Sequence, residues 1–471
     1  MLIKITVENF KSFDSVAEFS MIPSRRVTDN PEHEIQVDNL HLLNRAVVYG
    51  ANASGKTNLI DFFRFFKDTL NRGLPLWSAD AFCRNSKRNQ NRESLFEIQF
   101  SVDGNFYAYG FTAVLNKRKI VDEWLYKLQP GGASVIFQRS RGTVTLGKEM
   151  KSVSDDEKTR FNTYVEDFEG NDSSLFLTDV SSKKFAISSE LFVLRKVFSW
   201  LSAHIIILTP STSITDFRYY FNNESLQQVN NLIRTFDTGI SKIRIEQINF
   251  EKLREMLPLP VFNDVMNKVE ENVHEVEKNI RITKRGLKEK IREIKIRMSM
   301  RTSDDFFSIE IERGKPPKIT TIRMDHDRSE FDFGFRDESD GTRRLFDLMD
   351  ILLIKDKDFV FVVDELERSL HPQLTKHFLE LFGEQHKNRT VQLLFTTHES
   401  SIMNLKYFRR DEIWFIDKKK NNASALYSLD RFEQIDDGDI LSSYFNGRYG
   451  AVPVFQRIDR DKKYSDFGNE R

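Results

Sequence analysis

Gly50-Ala51-Asn52-Ala53-Ser54-Gly55-Lys56-Thr57 decides how the rest of this 471-residue chain is read. It fits the spacing G-x-x-x-x-G-K-[ST]. The apolar run Arg45-Ala46-Val47-Val48-Tyr49 precedes it, and Asn58-Leu59-Ile60-Asp61-Phe62-Phe63-Arg64-Phe65-Phe66 follows. The first run reads as a strand, the second as a helix too densely apolar to lie on a surface. A glycine-rich turn between strand and helix gathers backbone N–H groups at the positive end of the helix, and glycine lets a phosphate come close to them. In that frame Lys56 reaches the β- and γ-phosphates and Thr57 ligates Mg²⁺.

Working outward, Phe359-Val360-Phe361-Val362-Val363-Asp364-Glu365 is a continuous apolar run ending in two acids. A run of this kind reads as a central parallel strand that delivers carboxylates to the C-terminal edge of a sheet. Asp364 then belongs to the Mg²⁺ shell and Glu365 polarises the attacking water, a task the metal ligand cannot itself perform. The next strand, Val391-Gln392-Leu393-Leu394-Phe395-Thr396-Thr397, brings His398 to the same edge, where it can hydrogen-bond the γ-phosphate. As a plain structural feature, a strand-end histidine is only a polar cap.

The opening Met1-Leu2-Ile3-Lys4-Ile5-Thr6-Val7 alternates as a strand. Residues 94–146 read as antiparallel strands with a turn at Asp103-Gly104-Asn105, residues 155–200 as helical, and 203–208 as a core strand closed by Pro210. Between 261 and 300, Val265, Val269, Val273, Val276, Ile280, Leu287, Ile291, Ile294 and Met298 recur at three- and four-residue steps. That spacing predicts a long amphipathic helix, broken near Gly286, acidic in its first half and basic from Arg281 to Arg297. It is read either as a solvated insertion packed by its apolar stripe or as an arm for a partner or nucleic-acid phosphates. The resulting division is an N-terminal half over 1–250, a helical insertion over 251–301 and a C-terminal half over 302–471.

With 71 basic and 71 acidic residues the chain is formally neutral, so nucleic-acid affinity needs a local basic patch. One cysteine, Cys83, excludes an internal disulfide and a cysteine-rich metal site. The N-terminus lacks signal-peptide features, and no apolar run approaches the roughly 20 residues of a membrane span. A cytoplasmic protein without a membrane partner is expected.

Together with Glu338-Ser339-Asp340-Gly341-Thr342-Arg343-Arg344-Leu345, these motifs resemble the ABC-ATPase heads of the SMC, RecF and OLD families. Within that superfamily the match is nearest to the stand-alone AAA-15/AAA-21 type ATPases of bacterial phage-defence systems. The resemblance covers most of the chain and implies an α/β head: a phosphate-loop core sheet, an antiparallel side sheet and an inserted helical or coiled-coil segment. It implies ATP and Mg²⁺ as ligands. The nucleotide contacts it implies are Gly50, Asn52, Ala53, Ser54, Gly55, Lys56, Thr57 and Asn58, with Lys11 from the nucleotide-proximal turn Asn9-Phe10-Lys11-Ser12-Phe13. Ser339, Asp340, Gly341 and Thr342 are the signature that meets the γ-phosphate held by a second subunit, and Ser369, Leu370 and His371 the loop that joins two sites across a dimer. Glu123-Trp124-Leu125-Tyr126, Asp237-Thr238-Gly239-Ile240 and Gly447-Arg448-Tyr449-Gly450-Ala451-Val452-Pro453 look like recurring landmarks of the defence ATPases. Asp340 stands where transporter-type signatures have glycine. The glutamine of the metal shell has one weak candidate, Gln99.

OLD-type proteins carry a nuclease domain after the ATPase, and Asp436-Asp437-Gly438-Asp439 has the acidity of one without its strand-helix frame. The expectation is therefore a sensor or scaffold ATPase that forms a homodimer or higher even oligomer and controls a separate effector such as a nuclease. The alternative is a RecF- or SMC-like clamp on DNA, with nucleic acid as the partner. A transporter ATPase fits the strand pattern and signature poorly.

Overall fold

The computed structural model describes residues 1–148, 150, 153–210, 220–221, 223–278, 295–301, 305–432 and 440–452. The chain divides into two compact units, Met1–Ile205 with Gln392–Arg471, and Ile206–Val391.

In the first unit the expected hairpins over 94–146 form an antiparallel sheet, and the opening strand joins it. Its strand order is Thr143–Leu146, Gly132–Ser140, Lys119–Gln129, Asn105–Val114, Ser94–Val102, Leu2–Glu8 and Ala17–Ser20. Onto it packs the helix Lys56–Arg72, whose aromatic density now has its reason: Phe62, Phe65 and Phe66 meet Phe96, Tyr109 and Phe111 at centroid distances of 4.6–6.3 Å. A helix with so wide an apolar face is stable only when a partner covers it.

The same unit holds the fully buried strand Arg45–Tyr49 between Val391–Thr396 and Ile413–Lys418, all parallel, with Ser424–Ser428 added antiparallel at the edge. Parallel strands covered on both faces read as unbroken apolar runs. Gln392 is the exception within such a run. Its buried amide accepts from Leu2 N at 2.7 Å and donates to the carbonyls of Leu2 and Leu43, which ties this sheet to the antiparallel one.

Glu123 explains the first landmark. Its fully buried carboxylate accepts from Tyr109 Oη and from the N–H groups of Phe176 and Leu177 at the start of the helix Phe176–Ser181. Burial pushes its carboxyl above the usual range, while these donors and Arg139 pull the other way.

The second unit contains an antiparallel sheet in the order Ile240–Ile248, Lys318–His326, Phe306–Glu312 and Lys295–Arg301, with Asp332–Phe333 on Lys318–His326. The helices Phe250–Met256 and Leu259–Lys278 pack on it through Leu253, Leu257, Val265 and Val269 against Phe307, Ile309, Ile311 and Ile319. Of the helix expected over 261–300, the described residues up to Lys278 are helical and those from Lys295 are not. Lys295–Arg301 is a strand, because Ile296, Met298 and Met300 alternate with Lys295, Arg297, Ser299 and Arg301 and place their apolar side on the same core. The basic stretch 281–292 and the acidic Asp436-Asp437-Gly438-Asp439 lie outside the described residues. Asp237 and Gly239, at φ 49° and 77°, turn the chain into Ile240–Ile248. The unit also contains the strand Phe359–Val363 beside Ile205–Leu208, and the helices Asp340–Leu353 and Pro372–Gln385.

Candidate functional site

In the first unit the turn after Arg45–Tyr49 is built around its two glycines. A Cβ on Gly50 would lie 2.5 Å from the Ile416 carbonyl oxygen and from Ser54 Oγ, and one on Gly55 would collide with Ser12 and Ser424. Gly55 stands at φ 115°, a region side chains rarely enter, and Ala53 is held at φ 61°. Lys56, buried at the helix start, folds back so that Nζ donates to the carbonyls of Gly50 at 2.6 Å and Ala51 at 3.2 Å. Asn52, Ala53 and Thr57 are exposed.

A strap of neutral hydroxyls fixes this turn. Ser424 Oγ donates to the Ser54 carbonyl and accepts from Ser12 Oγ, which in turn accepts from Asn58 Nδ2 at 2.7 Å. The backbone of Ser424 also donates to the Ser12 carbonyl at 2.8 Å. Ser54 Oγ is buried and has no protein partner. Lys11, next to Ser12, sits at φ 52° with Nζ 3.6 Å from Asp61 on the second turn of the helix.

His398 follows its strand onto the same side. It lines a cleft of about 470 Å³ together with Tyr49, Gly50, Ala51, Asn52, Thr397 and Ser400. The far wall is Tyr444, Phe445 and Val452. The last landmark builds this wall: Tyr449 stacks on Phe415 at 5.9 Å, Tyr427 Oη donates to the Tyr449 carbonyl, and Tyr444 Oη to that of Ala451. Pro453 lies outside the described residues.

In the second unit Asp364 is buried and Glu365 half-buried at the end of Phe359–Val363, with Asp364 N bonded to the Leu208 carbonyl at 2.7 Å. Glu365 stands at φ 49° and Ser369 at φ 63°, both costly for side chains of this kind. The brace is Arg344, on the helix Asp340–Leu353: its buried guanidinium donates to the carbonyls of Asp364 at 3.3 Å and Glu365 at 3.2 Å. Burial lowers the Arg344 pKa, and Arg368 nearby adds to that, while Glu367, Asp364 and Glu365 oppose it.

Ser339 caps the same helix, accepting from Thr342 N at 3.1 Å, and Asp340 is exposed with its carboxylate on Arg343 at 2.6 Å. Gly341 must be glycine because a Cβ there would lie 2.7 Å from the Ser369 carbonyl oxygen. The signature turn and the loop through Ser369 and Leu370 therefore pack as one piece. That loop closes on His371, which caps Pro372–Gln385 through Nδ1 to Gln373 N at 3.2 Å.

The profile of the family AAA_21, described as "AAA domain, putative AbiEii toxin, Type IV TA system", matches residues 45–404. The chain belongs to this family. No curated protein matches it. Weak structural similarity extends to an SMC head bound to the C-winged helix domain of ScpA, at 12% identity over 91% of this chain and 97% of that one, TM-score 0.39. A second is the SMC head domain from Thermotoga maritima, at 12% identity over 91% and 98%, TM-score 0.31. As a member of AAA_21 the chain is an AAA-type ATPase-family protein, and its architecture is mixed α/β.

Within the first unit the fold unites the phosphate loop, Asn58, Lys11 and His398; within the second it unites the acidic pair, the signature and Ser369. Gln99 donates its amide to Glu97 of the same strand at 3.0 Å. Sequence reasoning gave no role to Arg344, Ser424 or the Tyr444–Phe445 wall. Arg344 was legible in part, as a cation inside the signature stretch. Ser424 carries no local signal, lying 370 positions from the carbonyl it holds.

Proposed function

We propose that the chain is an ATP-hydrolysing cytoplasmic head that closes as a homodimer, or a higher even oligomer, through ATP sites completed by both copies. Its role is that of sensor or scaffold in a bacterial anti-phage defence complex that controls a separate effector, a nuclease-type protein. The observation that carries the ATP reading is the cradle at 50–57. Glycines without room for a Cβ surround it, a buried Ser54 hydroxyl lacks a protein acceptor, and Lys56 rests on loop carbonyls that phosphate oxygens can replace.

Among the described residues no cluster of three or more His, Cys, Asp or Glu could hold a metal ion alone. Thr57 and Asp364, the proposed protein ligands of Mg²⁺, would therefore share it with phosphate oxygens. When bound, the ion neutralises phosphate charge and orients the triphosphate. Lys56 draws charge from the β- and γ-phosphates. Glu365 takes a proton from the attacking water as its oxygen bonds to the γ-phosphorus and the bond to the β-γ bridging oxygen breaks. His398 donates a hydrogen bond to the γ-phosphate.

The packing of Gly341 against Ser369 supports a composite site, since it makes signature and dimer loop one surface that Ser339 and Gly341 can present to the γ-phosphate of a second copy. Loss of that phosphate then weakens the closed state. The family's description as a toxin of a toxin–antitoxin system supports a cycle that gates a harmful outcome. Purification from the native host, followed by the mass of the assembly with and without ATP, tests the role. A stoichiometric second protein with nuclease chemistry supports it, whereas a lone dimer that closes on DNA only with ATP replaces it with a repair clamp.

A further inference from the structure

Beside the phosphate loop stands a feature that hydrolysis does not use. The short 3-10 turn Leu76–Asp80 presents two apolar side chains in succession, Leu76 79% and Trp77 42% exposed. Of the four tryptophans, Trp77 alone is exposed: Trp200 is buried, and Trp124 and Trp414 are half-buried. The ring is nevertheless fixed. Phe65 of the phosphate-loop helix meets it at 5.7 Å and 74°, and buried Ser78 bonds back to the Pro75 carbonyl through both N and Oγ.

The turn is tied to the nucleotide end of the unit. Lys11 N donates to the Ala81 carbonyl at 2.7 Å, and Lys11 Nζ lies 5.4 Å from the Trp77 ring centroid as well as 3.6 Å from Asp61. Ser12, the next residue, holds Asn58. Asp61 lies one helical turn beyond Thr57, about 6 Å along the axis. One lysine side chain thus separates an exposed indole from the end of the helix that faces phosphate. Both contacts of that lysine are long, and a phosphate is a better acceptor than either.

We propose that Trp77 is the stacking platform for the purine base of the nucleotide whose phosphates occupy residues 50–57, with Lys11 leaving the indole for the α-phosphate as the base arrives. The inference rests on the ATP reading above and adds the base subsite to it. Indole offers a broad π-face that any base can use and that a purine covers best, and Leu76 supplies an apolar rim.

The test is calorimetric titration of the full chain and of its Trp77→Ala and Trp77→Phe variants with Mg²⁺ plus either ATP or tripolyphosphate, which has the phosphates without the base. Trp77→Ala is expected to weaken ATP roughly 5- to 100-fold, the range for removing one base stack. Tripolyphosphate affinity stays unchanged in both variants, and Trp77→Phe keeps most of the ATP affinity. Equal weakening of ATP and tripolyphosphate in Trp77→Ala makes Trp77 a structural residue and overturns the proposal, as does unchanged ATP affinity. Wild-type protein that binds neither ligand removes the ATP reading itself.

Discussion

The turn after Arg45–Tyr49 and the turn after Phe359–Val363 both leave a largely buried strand through non-glycine residues at positive φ, Ala53 at 61° in the first and Glu365 at 49° and Ser369 at 63° in the second. They are held in opposite ways. Around the phosphate loop the fixing groups are hydroxyls and an amide, Ser12, Ser424 and Asn58, which add no net charge. Around the acidic loop the fixing group is a buried cation, Arg344, placed on the carbonyls of the two acidic residues. A neutral strap leaves the positive field of the helix N-terminus intact for an anion. A cationic brace offsets the cost of holding two carboxylates together. Each loop is thus stiffened without spending the charge that the proposed chemistry would use.

Substitutions break this contrast in a definite order. Lys56→Ala removes the charged donor of the phosphate loop and should weaken ATP by about 100-fold or more, the upper range for a charge-assisted hydrogen bond, in a direct titration. Retained binding would sink the phosphate-loop assignment. Glu365→Gln should slow hydrolysis by roughly 10²–10⁴-fold at unchanged ATP affinity, which steady-state and binding assays separate. Arg344→Met leaves the Asp364 and Glu365 carbonyls without their donor, and the fold should lose about 1–3 kcal/mol in denaturant titration. The same variant should lower turnover far more than ATP binding; an equal fall in both would mean that Arg344 supports the phosphate loop as well. The smallest effect belongs to Ser424→Ala, which removes one neutral strap: about 0.5–1.5 kcal/mol of stability, with ATP affinity shifted only a few-fold. If Ser424→Ala proved as damaging as Lys56→Ala, the strap would be part of the binding chemistry rather than its support.

The two regions also differ in how far the sequence discloses them. Gly50 and Gly55 are readable because a backbone N–H cradle demands glycine at fixed spacing, and the structure shows the same demand as missing room for a Cβ. The acidic strand is readable from its unbroken apolar run. Gly341 is different, since its requirement comes from Ser369, a contact 28 positions away that only the folded chain creates. Ser12 and Ser424 are silent for the same reason: hydroxyls are common, and nothing local distinguishes one that straps a loop from one that faces water. The misread element is instructive too. Over 295–301, Met298 fits both a four-residue and a two-residue repeat, and a short apolar segment does not settle its period until a sheet edge is there to receive it.

The composite site is tested most directly by the mass of purified Glu365→Gln protein in solution, measured with Mg²⁺ alone and with Mg²⁺ and ATP. An ATP site completed by a second copy predicts an ATP-dependent shift to twice the subunit mass, or to a higher even multiple, lost again when Ser339→Arg is added. A subunit mass that stays the same with and without ATP, at concentrations where ATP is bound, would contradict it.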